Sequence, residues 1–319
     1  MFGKTDFTLL PNCVSQWHNC ETMLSVIVVL FNMQREAPRT LYTLSALYQT
    51  RVSEEDYEVI VVDNGSIHPM SEEQVKSFGN NFRYLLCSDP AEPSPCKAIN
   101  IAVGHAEGEY VGVMIDGARM ASPGLIRNAI DALRLYDQSI VATLSWHLGP
   151  KPQSLSILDG YCQDTEDRLL DAIDWKGNGY RLFNASSFAW SSACGYFGNI
   201  AESNAFFMSK SFYGALEGFD EKFRLPGGGL ANLDFYKRAC EFANSNVILL
   251  LGEGTFHQVH GGVATNTISG DYIESASFDY CTIRGMKYSP PRNSPILFGR
   301  PSPETYPWIA LSLPSMLVG

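Results

Sequence analysis

Asp116 closes an apolar run, Tyr110–Ile115 (YVGVMI), and is followed by Gly117 and Ala118. A run of that length with two valines and an isoleucine suits a strand buried on both faces of an α/β sheet. A carboxylate at the C-terminal end of such a strand sits where open α/β sheets bind their ligands. Its oxygens are natural ligands for a hard divalent cation, although a turn aspartate looks the same in sequence. A second apolar run, Tyr57–Val62, ends in Asp63-Asn64-Gly65-Ser66, which reads either as a second site or as ordinary turn chemistry. Late in the chain, His257 and His260 stand before the pair Gly261-Gly262.

The elements that must carry these residues alternate regularly. Leu24–Phe31 predicts a buried strand, and a helix opens near Pro38 with Leu41, Leu44, Leu47 and Tyr48 at helical spacing. With Tyr57–Val62 they make a parallel βαβ unit. A short helix at 71–78, a strand at Phe82–Leu86 and a helix at Cys96–Ala106, bearing Lys97 and Asn100 near its start, lead into the Asp116 strand. A helix at 123–136 and a strand at Ser139–Leu144 continue the alternation. From 145 to 200 the period weakens into a Ser-, Gly- and aromatic-rich stretch with Trp146, Trp175 and Trp190. Long irregular segments of that kind commonly wall a substrate. A strand at Ala205–Met208, the turn Glu217-Gly218-Phe219-Asp220-Glu221 and the loop Pro226-Gly227-Gly228-Gly229 follow. A helix at Leu230–Ala243, a strand at Val247–Leu251, a helix near 272–285 and a proline-rich tail complete the chain. The whole predicts an α/β fold, a mixed but mainly parallel sheet with helices on both faces. Neither GxGxxG nor a P-loop occurs.

With 319 residues, 45% hydrophobic and 18% charged, the composition is that of a soluble globular protein with a sizeable core. The net charge of −11 argues against nucleic acid as a partner. An acidic protein still binds an anionic substrate when a cation supplies local positive charge. Eight cysteines without CxxC pairs read as reduced thiols. No apolar run approaches the ~18 residues of a membrane helix, and the N-terminus lacks the apolar core of a signal peptide. These features together predict a cytoplasmic protein without an integral membrane segment.

Taken in order, four segments resemble glycosyltransferase family 2, whose nucleotide-sugar-binding domain has the GT-A fold. They are LSVIVVLFN with its following helix, YEVIVVDNGS, GEYVGVMIDGA, and LEGFDEKF with GGGLANLDFYKRA. The resemblance covers roughly residues 24–145 and 200–265. It implies a nucleotide-sugar-binding half at 23–145 and an acceptor-binding half at 146–285, flanked by an N-terminal extension (1–22) and the tail (286–319). The implied activity is metal-dependent transfer of a sugar from a nucleotide-sugar donor to a glycan or glycolipid-type acceptor. As a sugar leaves a nucleoside diphosphate, charge grows on the β-phosphate, and Mn²⁺ or Mg²⁺ stabilises it.

Carried onto this sequence, the resemblance gives Asp116 as the surviving metal carboxylate, because Ala118 occupies the second acidic position of DxD. His257 and His260 become the other candidate ligands. Phe31, Asn32 and Asp63 would bind the base and ribose, and Lys97 and Asn100 would face the phosphates or ribose. Ala231 and Asn232 stand where an acidic pair usually provides the general base. Asp234, one step along the helix, is the remaining carboxylate, either base or helix support. Glu202 and Glu217 are further carboxylate candidates, and with Trp190, Asp220 and Trp175 they are expected on the acceptor side, where aromatic faces pack on sugar rings. A non-catalytic relative that binds nucleotide or glycan is the alternative reading, motivated by Ala118 and Asn232.

Overall fold

The computed structural model describes residues 23–87, 93–262 and 271–313. The expected 1–22 extension and the last residues of the tail lie outside them. Among the described residues ten strands form one sheet, with the order β10-β9-β6-β8-β4-β1-β2-β3. Here β1 is Leu24–Leu30, β2 Tyr57–Asp63, β3 Phe82–Leu86, β4 Tyr110–Met114, β5 Arg119–Ala121, β6 Ser139–Leu148, β7 Ser186–Phe188, β8 Ala205–Ser209, β9 Asn246–His257 and β10 Ile296–Phe298. The pairs β4/β1, β1/β2, β2/β3, β6/β9 and β9/β10 are parallel. Strand β8 runs antiparallel between β4 and β6 and joins two parallel blocks. Short β5 and β7 pair antiparallel with the ends of β9 and β6. The mixed, mainly parallel α/β sheet is as the sequence predicts.

Strand β1 shows why both faces are covered. Ile27 and Val29 pack into one apolar cluster with Ala98, Ile99 and Ala102 of helix Cys96–Gly104 and with Phe235 and Ala239 of helix Ala231–Glu241. Val26, Val28 and Leu30 point the other way, onto Leu41 and Leu44 of helix Ala37–Leu44 and onto Ile126 and Ala129 of helix Leu125–Leu133. Burying both faces of every central strand makes the apolar runs continuous rather than alternating.

Several boundaries differ from expectation for identifiable reasons. The first helix stops at Leu44, leaving Leu47 exposed, because Ser45 is extended and its N–H bonds back to Tyr42 O. Strand β9 does not end at Leu251. Gly252, with φ +86°, absorbs an irregularity in the β6/β9 register, and the strand resumes to His257. Residues 145–200 contain helix Gln163–Ala172 and shorter turns as well as β7. The 145/146 division falls inside β6. Within 286–319, Ile296–Phe298 extends the sheet edge as β10, and Trp308 packs its ring on Trp146 and Phe188.

Candidate functional site

A cleft of about 850 Å³ opens along the C-terminal ends of β1, β2 and β4. Its walls include Phe31 and Asn32 after β1, Asn64 after β2, and Ile115 and Asp116 after β4. Glu202 and Asn204 before β8, Asn232 at its helix start, and Tyr272 with Ile273 across the mouth complete it. An open parallel sheet leaves such a crevice where its connections diverge.

Asp116 reaches the cleft floor through a tight reversal between β4 and β5. Its Oδ1 accepts from Ala118 N–H (3.0 Å) and its Oδ2 from Arg119 Nε–H (2.9 Å). A Cβ on Gly117 would overlap the Leu30 side chain and lie 3.2 Å from Val29 O, so glycine lets the turn lie close against β1. The strand β5 that follows pairs Arg119 with His257, and β6 pairs His147 with the same His257. One register row thus brings His147, His257 and Arg119 side by side and sets His257 against Asp116.

One ligand atom each from Asp116, His257 and His260 lies within 4.8 Å of the others, close enough for a single cation to be shared among them. His257 Nε2 is 3.9 Å from Asp116 Oδ2 and 3.1 Å from His260 Nε2. Burial, then the Arg119 charge, holds the His257 imidazole well below its usual range. Burial also lowers His260, against the Asp116 carboxylate. Both rings are therefore neutral near pH 7, the state that can coordinate a metal. His257 Nδ1 sits 2.7 Å from Gln153 Oε1, an acceptor, which makes Nδ1 the protonated nitrogen and leaves the Nε2 lone pair facing Asp116. Gln153 also gives its backbone N–H to His147 Nδ1 (2.7 Å). Arg119 lines the cleft with its Nη1 buried and unpartnered among the described residues.

The other expected residues divide between cleft and scaffold. Phe31 is 46% exposed on the wall. Asn32, at φ +53°, accepts from Ile67 N–H and gives its own N–H to Ser66 Oγ, tying the loop after β2 to the end of β1. Asp63 is buried and uses Oδ1 to accept from Gly65 and Ser66 N–H, and Asn64 rather than Asp63 lines the cleft. Asn100 spends its amide on Phe219, Glu221 and Tyr213, docking its helix onto the 217–221 turn away from the cleft. Lys97 is half-buried and outside the cleft lining.

Of the residues expected on the acceptor side, Glu202 alone lines the cleft. Trp190 is 62% exposed and bonded to Ser154, and Trp175 is buried against Tyr42 and Tyr48. Glu217 is exposed at φ +60°. Asp220 accepts from Lys222 N–H and Arg284, which together outweigh burial and hold its carboxyl below the usual range. Asp234 is 2% exposed and held by two guanidiniums, Arg238 Nε at 2.8 Å and Arg284 at 2.6 and 2.7 Å. Its carboxylate clamps helix Asp271–Arg284 to helix Ala231–Glu241 and does not line the cleft. Asn232, two residues nearer the N-terminus and so on a different face of the helix, does.

Arg119, Gln153 and Asn204 are cleft or supporting residues that sequence reasoning did not single out. Arg119 directly follows D-G-A and was open to notice. The roles of Gln153 and Asn204 depend on contacts across the fold and leave no local signal.

Residues 25–145 match the family model described as glycosyl transferase family 2. That match covers little more than a third of the chain, and the mixed α/β sheet around it has the layout of a GT-A fold. Among solved structures it is similar to S. aureus TarS 1-349 in complex with UDP, at 15% identity over 82% of this chain and 64% of that chain, with a TM-score of 0.51. The same S. aureus protein in complex with UDP-GlcNAc matches at 13% identity over 81% and 66%, with a TM-score of 0.50. The chain spans just under two thirds of the length of those structures, and at this identity the likeness is one of fold. No curated protein gives a match.

Proposed function

We propose that the chain transfers a sugar from a nucleotide-sugar donor to a hydroxyl of a glycan or glycolipid-type acceptor, with Mn²⁺ or Mg²⁺ held by Asp116, His257 and His260. The observation that carries this reading is the convergence of one carboxylate and two neutral imidazoles on the floor of a cleft large enough for a nucleotide sugar. The donor set suits the group: carboxylate oxygen serves both ions, and two imidazoles favour Mn²⁺. When bound, the cation neutralises the charge that grows on the leaving diphosphate.

The chain's own residues do the remainder. Phe31 offers a face for the nucleobase, and Asn32 and Asn64 offer amides beside it. The unpartnered Nη1 of Arg119 is a donor for a phosphate oxygen, which supplies positive charge where a second acidic ligand is missing at Ala118. Gln153 holds His257 in the tautomer that presents Nε2. Pro226, Gly227, Gly229 and Tyr272 form the opposite wall, where the acceptor enters. Glycine is needed here because Gly227, Gly228 and Gly229 all have positive φ (+71°, +82° and +55°).

Among the described residues no helix is long and apolar enough to cross a membrane.

The test is a thermal-shift screen of UDP-, GDP-, CMP- and dTDP-sugars with and without Mn²⁺. Donor at a hundred times its dissociation constant stabilises the fold by about 2.7 kcal/mol. One nucleotide class shifting the melting temperature only with Mn²⁺ supports the reading, and no shift with any donor contradicts it. The non-catalytic alternative, favoured by Asn232 at the usual base position, is separated by following release of nucleoside diphosphate, which a pure binding module does not produce.

A further inference from the structure

We propose that Glu202 is the catalytic base, and that Asn232 is the positioning residue that holds it. The inference rests on the donor reading above and adds the group that activates the acceptor. Where the family's acidic pair is expected, this chain has Ala231 and Asn232, and the nearby Asp234 is committed to Arg238 and Arg284. The carboxylate has moved to a different element of the same cleft. Asn232 Nδ2 donates to Glu202 Oε2 at 2.8 Å, and also lies 3.2 Å from Ser203 O and 3.4 Å from Asn204 Oδ1. Three oxygens around one nitrogen fix the orientation of the amide, because the flipped form would set oxygen against oxygen. Its Oδ1 is buried and has no partner among the described residues, an acceptor left for a substrate hydroxyl.

The backbone sets Glu202 beside the metal-side carboxylate. Strand β8 runs antiparallel to β4 with Ala205 opposite Met114, and Asn204 O accepts from Ile115 N–H at 3.2 Å. Glu202 therefore precedes β8 at the end where Asp116 follows β4. The segment does not drift. Ser203 Oγ accepts from Thr143 N–H and donates to the Thr143 and Ala205 carbonyls. Asn204 Nδ2 donates to Ser145 Oγ, which is 3.2 Å from Thr255 Oγ1. Tyr288 OH donates to Ala201 O. Among the described residues Glu202 has no cationic side chain within ion-pair distance, whereas Asp234 has two and Asp220 has one. A carboxylate held by a neutral amide keeps a free lone pair for proton transfer.

In the step this implies, the acceptor O–H proton passes to a Glu202 oxygen as the acceptor oxygen bonds to the anomeric carbon. The bond from that carbon to the diphosphate oxygen breaks, and its electron pair leaves on the nucleoside diphosphate. Glu202 then releases the proton to solvent. Base-assisted displacement on the face opposite the leaving group inverts the anomeric configuration.

The experiment uses the full chain with UDP-GlcNAc and Mn²⁺ as probes and water as acceptor. UDP release and UDP·Mn²⁺ affinity are measured for wild type, E202Q, E202A, N232A and the double variant E202A/N232A. E202Q is expected to lower turnover by about 10²–10⁴, the usual worth of a positioned base, with UDP·Mn²⁺ affinity unchanged within twofold. Formate should restore part of the E202A turnover, which a merely structural role would not allow. N232A should lower turnover on its own but add nothing in the E202A background. E202Q turning over at the wild-type rate overturns the proposal while leaving the donor reading intact. Wild type that neither binds UDP with Mn²⁺ nor releases UDP overturns both. Should E202Q fail to fold, E202A with and without formate decides, and absence of rescue in a folded, UDP-binding E202A counts against the base.

Discussion

Asp234→Asn separates a structural carboxylate from a catalytic one. In the folded chain Asp234 is almost fully buried and accepts from Arg238 and twice from Arg284, bonds of 2.6 to 2.8 Å. Asparagine keeps the volume, so no cavity term arises. It can accept from one guanidinium through its Oδ1 but presents an NH₂ group to the other. Breaking a buried ion pair by removing one partner costs about 3–5 kcal/mol. The two arginine side chains are 28% and 25% exposed, so water partly replaces the lost charge, and a figure discounted below that range, about 2–3 kcal/mol, applies. At about 2 cal/mol/K per residue, the 319-residue chain has an unfolding entropy near 0.7 kcal/mol/K, and the melting temperature falls by roughly 3–4 °C. Differential scanning calorimetry measures that shift, and turnover of the protein still folded at 20 °C should stay within about twofold of wild type. A loss of turnover of a hundredfold or more at an unchanged melting temperature would return the base to Asp234 and refute this reasoning.

Two further predictions follow from buried groups. Gln153→Leu removes the acceptor that fixes the His257 tautomer and should weaken Mn²⁺ binding by 10- to 100-fold, the usual effect of losing such a supporting partner; calorimetry giving wild-type Mn²⁺ affinity would reject the role. Glu253, fully buried, has its carboxyl pushed up to about 7 by burial, against bonds from Ser122, Tyr180, Gly124 and Asn128. The folded value lies above the unfolded one, so its stabilising contribution is full below about pH 4.3 and is lost as pH rises through 7. The stability advantage of wild type over Glu253→Gln should therefore shrink by about 2–3 kcal/mol between pH 5 and pH 8 in denaturant titrations, and a constant difference would contradict the assignment.

What the sequence made legible was the sheet and the grouping of Asp116 with His257 and His260. Unbroken runs such as LSVIVVL and YEVIVV can hardly be anything but strands buried on both faces. Asp116 could be named because it closes an apolar run, and His257 and His260 through the family resemblance. The sequence reading and the structure part where long-range packing decides. Trp175 looks like a ligand-facing aromatic, yet Tyr42 and Tyr48 enclose it. Asp234 and Asn100 have the right chemistry for a site, but their partners come from sequence 50 and about 120 residues away, and those partners consume them. Asp63 is the turn residue that its D-N-G-S context equally allowed. Glu202 had no local signal beyond its charge. Only the register of β8 on β4, and the amide of Asn232, bring it to the cleft.

The central claim is that Asp116 and the two histidines hold a cation that binds the donor's diphosphate. The direct measurement is UDP affinity by calorimetry with Mn²⁺ and with EDTA, for wild type and for Asp116→Asn. Wild type should bind UDP at least tenfold more tightly with Mn²⁺, and Asp116→Asn should lose that gain while staying folded. An Asp116→Asn chain that keeps the full Mn²⁺-dependent gain would contradict the account.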